Sequence, residues 1–124
     1  MSITNCKLQK LLHCLNTKEK THEEMTSDLI EIIGGKDFVK EDISKILNVN
    51  FLPLLSSAVL FSIADKMMTL YGKETIKYFT DITNYIIRKD PNTAFHFIIL
   101  LIIDNNARNR EVGRNLWDEI AIYT

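Results

Sequence analysis

Apolar residues recur three and four positions apart along almost the whole chain, which is the pattern of amphipathic α-helices. The spacing predicts helices at about 3–16, 22–33, 37–47, 53–71, 73–88, 91–103 and 107–123. No stretch shows a sustained alternation of apolar and polar residues, which is the pattern of a β-strand. We therefore expect an all-α fold of about seven helices.

Several helix ends carry local sequence signals. Thr21 and Glu24 have the spacing of a capping box, which predicts the start of the second helix. Gly34 and Gly35 follow its apolar stripe and predict its end. Pro53 predicts the start of the fourth helix, because proline is tolerated in a first turn and not in a helix interior.

Residues 94–103 read AFHFIILLII, and His96 is their only polar side chain. Asp90 predicts the N-cap of this helix, with Pro91 at its first position. Ten helical residues span about 15 Å, half of the roughly 30 Å hydrocarbon core of a bilayer, so the segment is too short to cross a membrane. A helix that is apolar on all sides is typical of a domain centre, so we expect side chains such as Ile99 to be buried.

Composition and charge argue against two classes of partner. The chain has 124 residues, 46% of them apolar, with 15 Lys and Arg against 16 Asp and Glu and a formal net charge of -1. Both halves are balanced, so neither has the basic excess of a nucleic-acid or membrane-surface footprint. We expect one soluble domain spanning residues 1–124, without a membrane span and without a nucleic-acid partner.

The cysteines and the termini predict the compartment. Cys6 and Cys14 are the only cysteines, and two thiols without a secretory context are typical of reduced groups. The chain begins without an apolar signal core, has Ser2 where myristoylation needs glycine, and ends without a prenylation cysteine. We therefore expect a cytoplasmic or nuclear protein.

Residues 97–120 read FIILLIIDNNARNREVGRNLWDEI, a hydrophobic helix, a short polar turn and a second helix that begins near Glu-Val. This segment resembles one helical hairpin of an armadillo or HEAT repeat. The resemblance implies stacked antiparallel hairpins and an adaptor or scaffold that binds another protein. The alternative is a compact bundle resembling the Bcl-2 fold, which wraps amphipathic helices around one apolar helix; its viral-type inhibitors bind a partner helix in a groove.

Few residues are spaced for metal or catalytic chemistry. Cys6 and His13 share a helix face but lie about 10 Å apart along its axis, too far to bind one ion, and Cys14 adds no second cluster of ligands. We expect no metal and no cofactor. No phosphate loop, nucleophile elbow or H-E-x-x-H pair occurs, so we do not expect an enzyme. The one catalytic hypothesis is a buried His96 acting as acid or base; the alternative is a core histidine bonded to a carbonyl or hydroxyl.

The last helix carries a second face beside its apolar stripe, formed by Arg110, Gly113, Arg114 and Trp117. Arg and Trp are enriched at interface hot spots, and a glycine inside a helix allows close approach of another backbone. We predict that these four residues bind another protein, one with acidic groups around an apolar pocket. In the alternative, Trp117 covers the end of the core and Gly113 fits against a neighbouring helix. Homo-oligomerisation stays open.

Overall fold

The computed structural model describes residues 3–121, apart from the side chains of Ile82, Glu119, Ile120 and Ala121. Its α-helices are α1 (Ile3–Thr17), α2 (His22–Gly34), α3 (Ile43–Ile46), α4 (Ser57–Tyr71), α5 (Thr75–Lys89), α6 (Pro91–Ile102) and α7 (Ala107–Ala121). Short 3-10 turns occur at Lys40–Asp42, Val49–Leu54 and Gly72–Glu74. Since this part of the chain contains no strand, the all-α prediction is confirmed. None of its helices is both long and apolar enough to cross a membrane.

The predicted capping box is present at the start of α2. The backbone N–H of Thr21 donates to Oε1 of Glu24 at 3.1 Å, and the N–H of Glu24 donates to Oγ1 of Thr21 at the same distance. The helix ends at Gly34, as the sequence predicts. The ammonium group of Lys66 on α4 donates to the carbonyl of Gly35 at 2.7 Å, which ties α4 to the end of α2.

The third predicted helix is much shorter than residues 37–47. The Asp42 carboxylate accepts from the backbone N–H of Val39 at 3.0 Å and from the ammonium group of Lys45 at 2.8 Å, so the regular helix begins only after this residue. Leu47 leaves the helical conformation, with φ -80° and ψ 70°. Short polar side chains that bond nearby backbone groups compete with helix formation in this way.

Pro53 does not start α4, contrary to the prediction. It lies inside the 3-10 turn Val49–Leu54, and α4 begins at Ser57. Ser56 supplies the N-cap, because its hydroxyl oxygen accepts from the N–H of Val59 at 3.5 Å. The predicted helix was therefore too long at its N-terminal end.

One hydrophobic cluster contains buried side chains from all seven helices. Helix α4 contributes five of them and contacts α2, α5, α6 and α7. Helix α6 contacts α4, α5 and α7. Thus α4, more than α6, connects the first helices to the last three.

The expectation that α6 is buried on all sides is wrong. Its inward half is formed by Ala94, Phe97, Ile98 and Leu101, each at most 1% exposed, while Ile99 is 50% exposed. The reason is that α4, α5 and α7 all pack against one half of the helix, and no described element covers the other half. An apolar sequence on both sides of a helix therefore did not lead to burial on both sides.

Candidate functional site

Helices α6 and α7 form an antiparallel hairpin with a very close approach at Gly113. A Cβ atom built on Gly113 falls 2.8 Å from the backbone nitrogen of Ile102 and 2.8 Å from Cβ of Leu101. Further along α7, Trp117 meets Phe95, so residue numbers rise on one helix as they fall on the other. The close approach that the sequence predicts at Gly113 is therefore made within the domain, against α6.

Arg110 forms hydrogen bonds within the same hairpin. Its Nη1 donates to the carbonyl oxygens of Asp104 and Asn105 at 2.9 and 2.8 Å, in the turn that follows α6. A cation in this position also interacts favourably with the negative end of the α6 dipole. Arg110 thus stabilises the hairpin, which sequence reasoning did not foresee.

The turn between the two helices is built from side-chain caps. Oδ1 of Asp104 accepts from the N–H of Asn106 at 2.7 Å. Oδ1 of Asn106 in turn accepts from the N–H groups of Arg108 and Asn109 at 3.0 and 3.2 Å, as an N-cap does. These bonds fix the start of α7 and therefore the position of its outer face.

Trp117 and Arg114 lie on the outer face of α7. Trp117 is 46% exposed, and its ring meets the half-buried ring of Phe95 edge to face, with centroids 6.2 Å apart. Arg114 is exposed one turn earlier. The apolar stripe of α7 consists of Val112, Leu116 and Ile120. Val112 and Leu116 are buried on the inner face, as this stripe predicts, and the side chain of Ile120 lies outside the described ones.

Two large apolar side chains, one on α6 and one at its C-cap, extend this face, and sequence reasoning missed both. Ile99 is 50% and Ile103 is 67% exposed. Phe95 and Ile99 are four residues apart and lie along one side of α6, and Ile103 follows at the C-cap, four residues after Ile99. This stripe lies opposite Ala94 and Leu101 on the helix. The sequence did not indicate which of the two sides is exposed, because both are equally apolar.

We call Phe95, Ile99, Ile103, Arg114 and Trp117 the hairpin surface. Contiguous exposed apolar area of this kind marks interaction sites more often than single exposed side chains do. Its α6 part is uncharged, since residues 91–103 contain no Asp, Glu, Lys or Arg. Of the four residues predicted to bind a partner, Arg114 and Trp117 belong to this surface, whereas Gly113 is buried and Arg110 bonds to the turn.

His96 is exposed, so both expectations that buried it are wrong. It lies on the uncovered half of α6, three residues before Ile99. Catalysis by a buried imidazole therefore has no structural basis here. The Bcl-2-like alternative also loses the enclosed apolar helix on which its resemblance rested.

The metal and thiol candidates lie on α1. Cys6 is exposed and Cys14 is half-buried, and Nε2 of His13 lies 3.9 Å from Oε1 of Glu19. Among the described residues there is no group of three or more His, Cys, Asp or Glu side chains that could hold a metal ion.

A groove of about 230 Å³ lies between α1 and α2. Lys7, Lys10 and Lys20 line it together with Asp28 and Glu31, so both signs of charge are present. Lys20 and Asp28 are joined by a hydrogen bond of 2.6 Å, which raises the pKa of the lysine. The mixed charges do not select one class of ligand.

Arg108 and Asn109 lie at the start of α7, where Arg108 packs against α4. The guanidinium of Arg108 lies 4.9 Å from the ring centroid of Phe61 and 3.6 Å from the Asp65 carboxylate. Next to it, Asn109 is fully buried and neither of its side-chain polar atoms has a hydrogen-bond partner among the described residues. Unpaired buried polar groups lower stability, which makes Asn109 a position for a test of stability and not of binding.

No protein-family model, curated protein or solved structure matches the chain.

Proposed function

We propose that this chain is a protein-interaction module, an adaptor or scaffold, and that the hairpin surface is its binding site. The observation that carries the proposal is the exposure of Ile99, Ile103 and Trp117, between 46 and 67%, on α6, at its C-cap and on α7, two helices that are packed together. Water contact with this much apolar side chain is unfavourable, so covering it with a partner contributes free energy to binding.

The close packing of the hairpin supports the proposal. Gly113 allows α6 and α7 to approach closely, and Arg110 with the capped turn fixes their connection. A surface that is already ordered loses little conformational entropy when it binds. The side chains of the hairpin surface are thus presented on a preformed scaffold.

The residue types at this surface are those of interface centres and edges. Trp117 is a large apolar anchor with an indole N–H, and its contact with Phe95 restricts its orientation. Arg114 at the edge supplies a planar donor for a partner carboxylate. We expect the apolar centre to give affinity and the arginine to give specificity.

A binding experiment with matched variants tests the proposal. The immobilised chain is incubated with extract of its source cells, and retained proteins are compared for wild type, Trp117→Ala and Ile103→Glu. The control is Ile3→Glu, since Ile3 is 59% exposed on α1, which packs mainly against α2. We expect a specific partner to be lost from the two surface variants, through a binding cost of about 2 kcal/mol or more, and to be kept by the control.

Melting curves of the same variants separate binding from folding. A partner that is retained equally by all variants contradicts the proposal. So does a collapsed melt of Trp117→Ala with normal retention by Ile103→Glu, because that result assigns Trp117 to the core. Ile103 is two-thirds exposed, so its glutamate variant is expected to fold.

A further inference from the structure

We draw no further inference here: the strongest candidate, the uncovered half of α6 with His96, Ile99 and the neighbouring Ile103, adds nothing to the proposed function, because nothing in the structure shows what covers it.

Discussion

Replacing Gly113 with Ala should destabilise the protein, although alanine is normally the better helix former. In an ordinary helix interior the change from glycine to alanine gains about 1 kcal/mol. Here the new Cβ would lie 2.8 Å from the backbone nitrogen of Ile102, and a backbone atom cannot rotate away. Such overpacking costs about 1 to 3 kcal/mol, and a contact this short with backbone falls in the upper part of that range.

The net expectation is a loss of about 1 to 2 kcal/mol in the free energy of unfolding. For a chain of this size that corresponds to a melting temperature lower by roughly 4 to 8 °C. Thermal unfolding followed by circular dichroism measures it, and urea unfolding gives an independent free energy.

Gly34→Ala is the matched control. Gly34 is the last residue of α2, and a Cβ built there meets nothing within 4 Å. Alanine should therefore raise stability by up to about 1 kcal/mol, opposite in sign to its effect at Gly113. If Gly113→Ala melts at or above the wild-type temperature, the tight contact between α6 and α7 does not exist as described.

Three further predictions concern stability. Ile98→Ala should cost about 2 to 5 kcal/mol in urea unfolding, whereas Ile99→Ala should cost less than about 1.5 kcal/mol, because Ile98 is fully buried and Ile99 half exposed; equal costs would contradict this difference. Asp90→Ala should lower the melting temperature at pH 7 and should lower it much less at pH 3. Hydrogen bonds from Thr93 lower the pKa of the Asp90 carboxyl. The stabilising contribution of this carboxylate is therefore present above its ordinary pKa of 3.8 and is lost as the pH falls through the folded-state pKa. A difference in melting temperature between wild type and Asp90→Ala that does not depend on pH would argue against this cap. Asn109→Leu should raise the urea midpoint and increase the free energy of unfolding by roughly 1 to 3 kcal/mol, because it removes buried polar atoms without hydrogen-bond partners among the described residues. A lower midpoint would show that those atoms are hydrogen-bonded.

Local signals in the sequence predicted local features well. The capping box of Thr21 and Glu24 and the Asp90 cap before Pro91 both occur, because each depends only on residues within one helical turn. The prediction at Pro53 was wrong for a reason that is also local: proline is as compatible with a 3-10 turn as with the first turn of an α-helix, and Ser56 offers a cap three residues later.

Burial in α6 could not be predicted from its own sequence. Ile98 and Ile99 are the same residue type in adjacent positions, and only the location of α4, α5 and α7 decides that one is buried and the other exposed. The internal use of Arg110 and Gly113 likewise depends on how α7 folds back on α6. Trp117 and Arg114 could be placed on an outer face because the apolar stripe of α7, unlike that of α6, is confined to one side.

Helix α3 has only four residues, fewer than an isolated helix needs to nucleate and persist in water. Its Ile43 and Ile46, and Phe51 and Leu54 in the turn that follows, are nearly inaccessible, so this part of the chain owes its order to contacts with elements distant in sequence. During refolding its amide hydrogens should therefore become protected after those of α4 and α5, which are long enough to form early. In the native protein the same amides should exchange through local opening, at a lower free energy than global unfolding, while those of Ile63 and Met67 exchange only when the whole chain unfolds.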